Sequence, residues 1–310
     1  MHTLLTLGEL LLFPGLAYLV TVALLLAWVD RKALAVLQGR VGPPIYQPLA
    51  DLLKLLGKED LDTEGSDARL AALLPMISLA CALTAGLMTP VGNHAVISFE
   101  GDLMVTLFLL SVPTLGLFLA GWIVPSVYNM LGGNRSLLQY FCYEVPLLLG
   151  LAGPAALART WRLAALMSAQ SAYHWHVLAM PVGFAVATLG LIGKLERVPL
   201  DTPHAKAEIG AGPLTEYSGR KLALWRLTAW VQTLVGINLM VAVYLGGADV
   251  VWPYWGFGVY AVKVVGYMGG LALVQALYAR LRVDQVAEMS WRLLVPLGLL
   301  QLAVTVWMGA

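Results

Sequence analysis

A carboxylate inside an apolar run is the first feature that could do chemistry. Glu144 stands in Tyr143-Glu144-Val145-Pro146, within a stretch from 137 to 158 that is apolar enough to cross a bilayer. An ionised side chain at hydrocarbon depth costs about 2.5–3.5 kcal/mol on insertion scales, so a carboxylate kept there points to proton relay or charge coupling. Pro146 has no N–H. It leaves the carbonyl of Cys142 without its helical partner and makes a place for water beside the acid. Lys263 is the second such residue, in a run from 255 to 279. Gly266 and Gly270 share about one helical face with it and would admit a close neighbour. Lys263 either pairs with an acid or snorkels to the interface. Glu9 and Asp102 lie near the ends of apolar runs, where interfacial water would solvate them.

Most other ionisable groups fall in two segments. The first, 30–68, holds Arg31, Lys32, Gln38, Arg40, Gln47, Asp51, Lys54 and Lys58. Its Gly42-Pro43-Pro44 forces an extended turn. After Pro48, which suits a first helical position, Leu49, Leu52, Leu53 and Leu56 share a face. About ten residues cannot span, so this is an amphipathic helix lying in the interface. The second segment, 196–221, holds Glu196, Arg197, Asp201, His204, Lys206, Glu208, Glu216, Tyr217 and Arg220. Asp201 or Thr202 would cap a helix with Pro203 in its first turn. Connectors are usually two to eight residues long, so a loop this long and this charged lines a cavity or docks a partner.

Metal chemistry is not indicated. Cys81 and Cys142 lie in apolar runs and form no Cys-x-x-Cys pair. His174 and His176 are two residues apart and would point to opposite sides of a helix. No metal or cofactor is therefore expected on this chain alone.

The elements that must position these groups are helices in lipid. The chain is 59% hydrophobic and 12% charged, against about 25% charged in soluble domains. The net charge of +1 argues against nucleic acid as a partner. Eight runs of about 20 residues read as spans: 7–29, 69–91, 102–125, 137–158, 175–195, 222–246, 255–279 and 286–308. The first lacks a preceding basic region, so it reads as a retained span and not a cleaved leader. Sixteen lysines and arginines fall on one side of this arrangement and two, Arg159 and Arg162, on the other. The positive-inside rule then puts both long loops in the cytoplasm and both termini outside. The expectation is one polytopic all-α membrane domain, 1–310, with eight transmembrane helices and a short surface helix, in the cell membrane.

Gly39-Arg40-Val-Gly42-Pro43-Pro44, Gln47-Pro48-Leu-Ala-Asp51 and Lys54-Leu-Leu-Gly-Lys58-Glu59 resemble the first inner loop of the NADH dehydrogenase subunit 1 family. Glu196-Arg197-Val-Pro199-Leu-Asp201-Thr-Pro203, Glu208 and Glu216-Tyr217-Ser218-Gly219 resemble its second signature, and Tyr143-Glu144-Val-Pro146 its glutamate-bearing helix. That family includes the complex I subunit beside the quinone cavity and the matching subunit of membrane-bound [NiFe] hydrogenases and formate hydrogenlyase-type complexes. The resemblance implies a place between a hydrophilic redox arm and antiporter-like membrane subunits. Flavin or [NiFe] and iron–sulfur centres would then be on partners. A quinone would bind only in the complex I branch. It also implies a coupling path through Glu144, Tyr143, Asp201, Glu208, Glu216 and Lys263, with the remaining loop residues facing partner or cavity. Complex I members typically carry acids just after the proline, where this chain has His204 and Lys206. That departure, with Gly212-Pro-Leu-Thr-Glu-Tyr-Ser-Gly-Arg-Lys221, leans toward the hydrogenase type. Two other classes compete: a passive membrane anchor, which needs the loops but not Glu144, and a secondary transporter, whose usual internal repeat is absent by eye.

Overall fold

The computed structural model describes residues 8–61, 63–92, 94–170, 175–248 and 256–309, apart from the side chains of 206, 207, 308 and 309. The long helices are α1 (Leu16–Leu37), the surface helix α2 (Gln47–Leu56), α3 (Ala68–Met88), α4 (Asp102–Ile123), α5 (Val127–Ala158), α6 (Pro181–Lys194), α7 (Gly219–Tyr244) and α8 (Gly256–Leu277). Two helices close the chain, α9 (Val283–Met289) and α10 (Val295–Gly309), joined through a π turn. Among the described residues, seven helical stretches are long and apolar enough to cross a membrane, with α9 and α10 counted as one. The eighth, α6, has only 14 residues, about 21 Å of helix. The described residues contain no strand, only a bridge between Val91 and His94. The all-helical membrane fold expected from composition is what forms.

Several boundaries move for identifiable reasons. The expected span 175–195 breaks at Met180 (φ −134°, ψ 62°) because Pro181 follows and excludes helical geometry before it. A four-residue turn, His176–Ala179, precedes the break; His174 lies outside the described residues. A short helical stretch at 8–11 precedes Pro14, and α1 then runs from Leu16 through Asp30, Arg31 and Lys32 to Leu37, so these charges sit on α1 and not in a loop. The fourth span starts at Val127, ten residues before its apolar run. Gly132 and Gly133 lower helix propensity there, but they allow very close packing. A Cβ on Gly132 would lie 2.6 Å from Pro213, and one on Gly133 2.9 Å from the Phe118 carbonyl.

Three sequence expectations are corrected. Asp201 and Thr202 cap no helix, since residues 199–205 are not helical and helix resumes only at Lys206. Asp201 instead binds Arg280, and Thr202 donates to Gln139. Gly266 and Gly270 receive no close neighbour among the described residues. Asp102 is fully buried, not solvated; its carboxylate accepts the Leu163 N–H at 2.6 Å.

The core that positions the functional groups is the seam between α5 and α6, and it is built on glycine. A Cβ at Gly150 would lie 2.8 Å from the Ala187 Cβ. At Gly190 it would lie 2.8 Å from the Leu147 Cβ, and at Gly193 2.7 Å from the Tyr143 Cβ. All are shorter than real Cβ contacts, so the two backbones meet at a distance only glycine permits. Gly193→Ala should therefore force the helices apart. We expect about 1–3 kcal/mol of destabilisation, as for overpacked cores, despite alanine's better helix propensity. It would be read as a lowered unfolding temperature of the purified complex. An unchanged or raised value would show that the seam tolerates a methyl group.

Candidate functional site

The glycine seam brings Glu144 of α5 against the last residue of α6, Lys194. The Lys194 amine donates to one Glu144 carboxylate oxygen at 2.8 Å and to Ser111 Oγ of α4 at 2.7 Å. Ser111 Oγ lies 2.8 Å from the other Glu144 oxygen and 2.9 Å from the Leu107 carbonyl. Its single proton can go to either acceptor, so the hydroxyl is a ready two-position switch. Lys194 is 1% exposed and Glu144 21%. Tyr143, next to Glu144, is buried and donates to Thr114 Oγ1 at 3.0 Å. Its ring centroid lies 5.5 Å from the Lys194 amine. A cation held this deep needs full compensation, and the carboxylate, the hydroxyl and the ring face supply it.

Lys194 also forms part of the wall of a cavity of about 270 Å³ between α1, α4, α7 and the 194–204 segment. Around it, Arg197 is bidentate to Asp30 at 3.0 and 2.9 Å. Arg31 pairs with Asp51 at 2.7 Å and lies over the Trp230 ring. Gln47 adds a 2.9 Å bond to Asp51, and Arg31 holds the Asp51 carboxyl below its ordinary range. Glu196 binds His204 Nε2 at 2.8 Å and Ser136 Oγ at 2.7 Å. Its backbone is left-handed at φ 49°, a conformation costing of order 1 kcal/mol for a non-glycine residue. Burial pulls the His204 pKa down, but Glu196 and Asp201 outweigh it and leave the imidazole above its ordinary value.

The two signature loops are stapled together. Gly219, at φ +55°, begins α7, and a Cβ there would lie 2.2 Å from Asp60. The Arg220 N–H donates to Asp60 at 2.6 Å, and the Leu61 N–H to Ser218 Oγ at 2.9 Å. Gly212, at φ +63°, leaves room for the Pro203 carbonyl where a Cβ would collide at 2.0 Å. The Gly-Pro-Pro turn is fixed by Trp28, whose indole N–H donates to the Pro43 carbonyl at 3.0 Å. The α2 helix forms as expected with Pro48 in its first turn. Only Leu52 of its apolar face is buried; Leu49, Leu53 and Leu56 stay exposed.

The expected site residues divide accordingly. Arg31, Glu196, Arg197 and His204 meet at the cavity, with Tyr143 and Glu144 just behind Lys194. Asp201 packs on Arg280, and burial outweighs that cation in raising the Asp201 pKa. Glu208 pairs with Arg135 and is held below the usual carboxylate range. Glu216 borders a small crevice beside Tyr217. The buried Tyr217 packs edge-on to Trp225, and burial pushes its hydroxyl up to about 12. Lys263 stands at the opposite end of α7, donating to the Leu245 and Gly247 carbonyls at 2.7 and 3.0 Å, with its amine 4.6 Å from the Trp175 ring centroid. Those carbonyls end a helix, where a cation is favoured. Lys32 packs its stem under Gly42, while Gln38, Arg40, Lys54, Lys58 and Arg220 are exposed. The Lys206 side chain lies outside the described residues. Sequence reasoning missed Lys194, Ser111, Thr114 and Asp30 as site residues. The available signal was Gly190 and Gly193, spaced along the helix that delivers Lys194.

The chain matches the family model described as NADH dehydrogenase over residues 11–306. It is 33% identical to an H-type subunit of the NADH-quinone oxidoreductase of Syntrophobacter fumaroxidans, covering 95% of this chain and 94% of the relative. It is 32% identical to the H-type subunit of the NADH-quinone oxidoreductase of Bacillus mycoides, covering 96% and 92%. A structure of the membrane-bound sulfane sulfur reductase, an archaeal respiratory membrane complex, contains a chain of the same fold. That chain has a TM-score of 0.86 at 24% identity, with 93% of this chain and 96% of that chain covered. With a family model over nearly its whole length and two relatives above 30% identity, the chain belongs to the NADH dehydrogenase family and is a multi-pass membrane subunit of a complex I-like respiratory complex.

Proposed function

We propose that this chain converts a redox event in a docked hydrophilic arm into movement of a proton or sodium ion, with Glu144 as the relay, in an energy-converting hydrogenase-type complex. One observation carries the reading. The Lys194 ammonium is bonded to Glu144 on one side and borders the cavity on the other. Negative charge developing at the cavity draws the ammonium toward it and weakens its hold on Glu144. Two unit charges 4 Å apart interact by about 4 kcal/mol at an effective dielectric of 20. Weakening that attraction favours uptake of a proton by the Glu144 carboxylate. Ser111 then reorients its proton between Glu144 and the Leu107 carbonyl. The stapled loops 58–61 and 218–220 would present the face to the arm, on the cytoplasmic side, and antiporter-like subunits would continue the path. Iron–sulfur and [NiFe] centres would belong to partners.

The cavity supports a second reading, in which a quinone head group is the electron acceptor, as the names of the two curated relatives suggest. The volume is sufficient and the lining is chemically suited. Arg31, Lys194, His204 and Thr228 could donate to the ring oxygens while Trp225 and Trp230 flank the ring. A quinone there would accept two electrons and two protons, and the His204–Glu196 pair would hold the nearest exchangeable proton. His204 and Lys206, standing where complex I members carry acids, favour the hydrogenase type. Assaying the purified complex for hydrogen evolution against quinone reduction separates the two, and the hydrogenase reading expects hydrogen evolution and no quinone reduction.

In the complex reconstituted in liposomes, E144Q should cut ion movement per electron at least tenfold (~1.4 kcal/mol) with partner content unchanged. Normal pumping in E144Q would leave the chain a passive anchor. Lys194→Met alone strands a buried carboxylate and should cost about 3–5 kcal/mol of stability; adding E144Q should recover much of it.

A pH dependence follows from His204. Its folded pKa is raised, so its pairing with Glu196 contributes fully below the ordinary histidine value of about 6.5. That contribution fades as pH climbs through the raised value. His204→Gln should remove this alkaline loss from the pH profile of coupled activity. A profile with the same alkaline limb in His204→Gln would assign the limb to another group.

A further inference from the structure

A second hollow, of about 310 Å³, opens at the same loop-bearing end, between the start of α5, the 202–208 segment and the turn from α8 to α9. Three guanidinium groups border it: Arg135, Arg280 and Arg282. Two acids, Glu208 and Asp284, also line it. Arg280 is held by Asp201, and its Nε is buried with no acceptor among the described residues. Arg135 is paired with Glu208. Glu208 is 53% exposed and lies at the end of a flexible side chain. It also feels Arg280 and Arg282, which add to Arg135 in keeping it ionised. Its carboxylate therefore occupies the position an external anion would take.

The surroundings indicate which anion. Along α5, Leu131, Leu138 and Phe141 flank Arg135 within two turns and are 42%, 54% and 57% exposed. At the end of α8, Leu277 and Tyr278 are 70% and 63% exposed. Apolar side chains bared beside an arginine-lined hollow, at the end of membrane-crossing helices, mark the boundary between headgroups and acyl chains. A free solute anion would gain nothing from them.

We propose that this hollow binds the phosphate of an anionic phospholipid, with Glu208 swinging out, Arg135 and Arg282 gripping the phosphate oxygens, and the acyl chains lying along Leu138 and Phe141. Guanidinium suits this task because its planar donors match phosphate oxygens in pairs. The site is separate from the cavity beside Lys194 and does not depend on how that cavity works.

The test is lipid retention. The whole purified complex is equilibrated with vesicles of phosphatidylglycerol and phosphatidylcholine, washed in detergent, and its bound lipid measured by mass spectrometry. Wild type should retain phosphatidylglycerol selectively. Arg282→Ala, at an exposed position, should reduce that retention about fivefold, the effect of one basic side chain near an anionic surface. E208Q should increase it, a change that misfolding cannot produce. Equal retention of both lipids, or retention unaffected by either substitution, would overturn the proposal. Release of the bound lipid by millimolar inorganic phosphate would identify a free-anion site instead and overturn the lipid assignment.

Discussion

A single buried ion pair sets the terms for this bundle. Glu144 and Lys194 face each other at 2.8 Å among apolar helices, with Lys194 almost entirely out of contact with solvent. Removing two charges from water is costly, and attraction repays it only when geometry is good and remaining hydrogen-bonding capacity is filled. Three helices must therefore agree at one point. α5 brings the acid, α6 the amine and α4 the hydroxyl of Ser111. Apolar contacts alone would tolerate a shift of one helix by an ångström or two, whereas this triangle does not. The glycines at 150, 190 and 193 set the α5–α6 separation, and Pro181 fixes where α6 begins. The helix, 14 residues long, ends on Lys194.

The cavity follows from the same constraint. Because α6 stops at Lys194, the chain turns through Glu196 in a left-handed conformation and doubles back beneath the bundle. Arg197 then meets Asp30, which lies within reach only because α1 continues about eight residues past its apolar stretch. Arg31, one residue on, meets Asp51 on the surface helix. Arg197 and Asp30, 167 positions apart, both line the cavity, as do Arg31 and the Glu196–His204 pair. Gly212 and Gly219 permit the backbone crossings that lock the loops over it. The cavity thus has one wall backed directly by the buried pair.

Much of this was legible in the residues. Apolar excess and run length fix the class, the surface helix follows from the leucine spacing after Pro48, and Glu144 stands out because a carboxylate in lipid needs a reason. Lys194 did not stand out. It closes an apolar run and opens a charged loop, so on composition alone it reads as one more interfacial cation. Its burial arises from how closely two backbones approach, which only the spacing of Gly190 and Gly193 hints at. The start of α5 was hidden for the opposite reason. Gly132 and Gly133 weaken the local helix signal because they serve contacts with Pro213 and Phe118, distant in sequence. Lys263 could be read either as paired with an acid or as reaching the interface, and its amine binds carbonyls at the far end of α7.

The segment 201–205 connects the two polar hollows. His204 faces the cavity beside Lys194, while Thr202 and Ala205 face the arginine-lined hollow, so the loop is a partition one strand of backbone thick. Arg280 braces it from the second side, bonding Asp201 and reaching toward the His204 carbonyl. Gln139 braces it from within the bundle, accepting from Thr202 and donating to the carbonyls of Leu200 and Gly193. A partition held by a side chain from each side keeps its imidazole in a fixed place without rigid secondary structure. Non-helical backbone is what allows this: a helix begun at Asp201 would direct these groups by its own periodicity, whereas the segment as it stands lets Asp201, Thr202 and His204 each meet a different partner. The missing helix cap is therefore part of how the site is built.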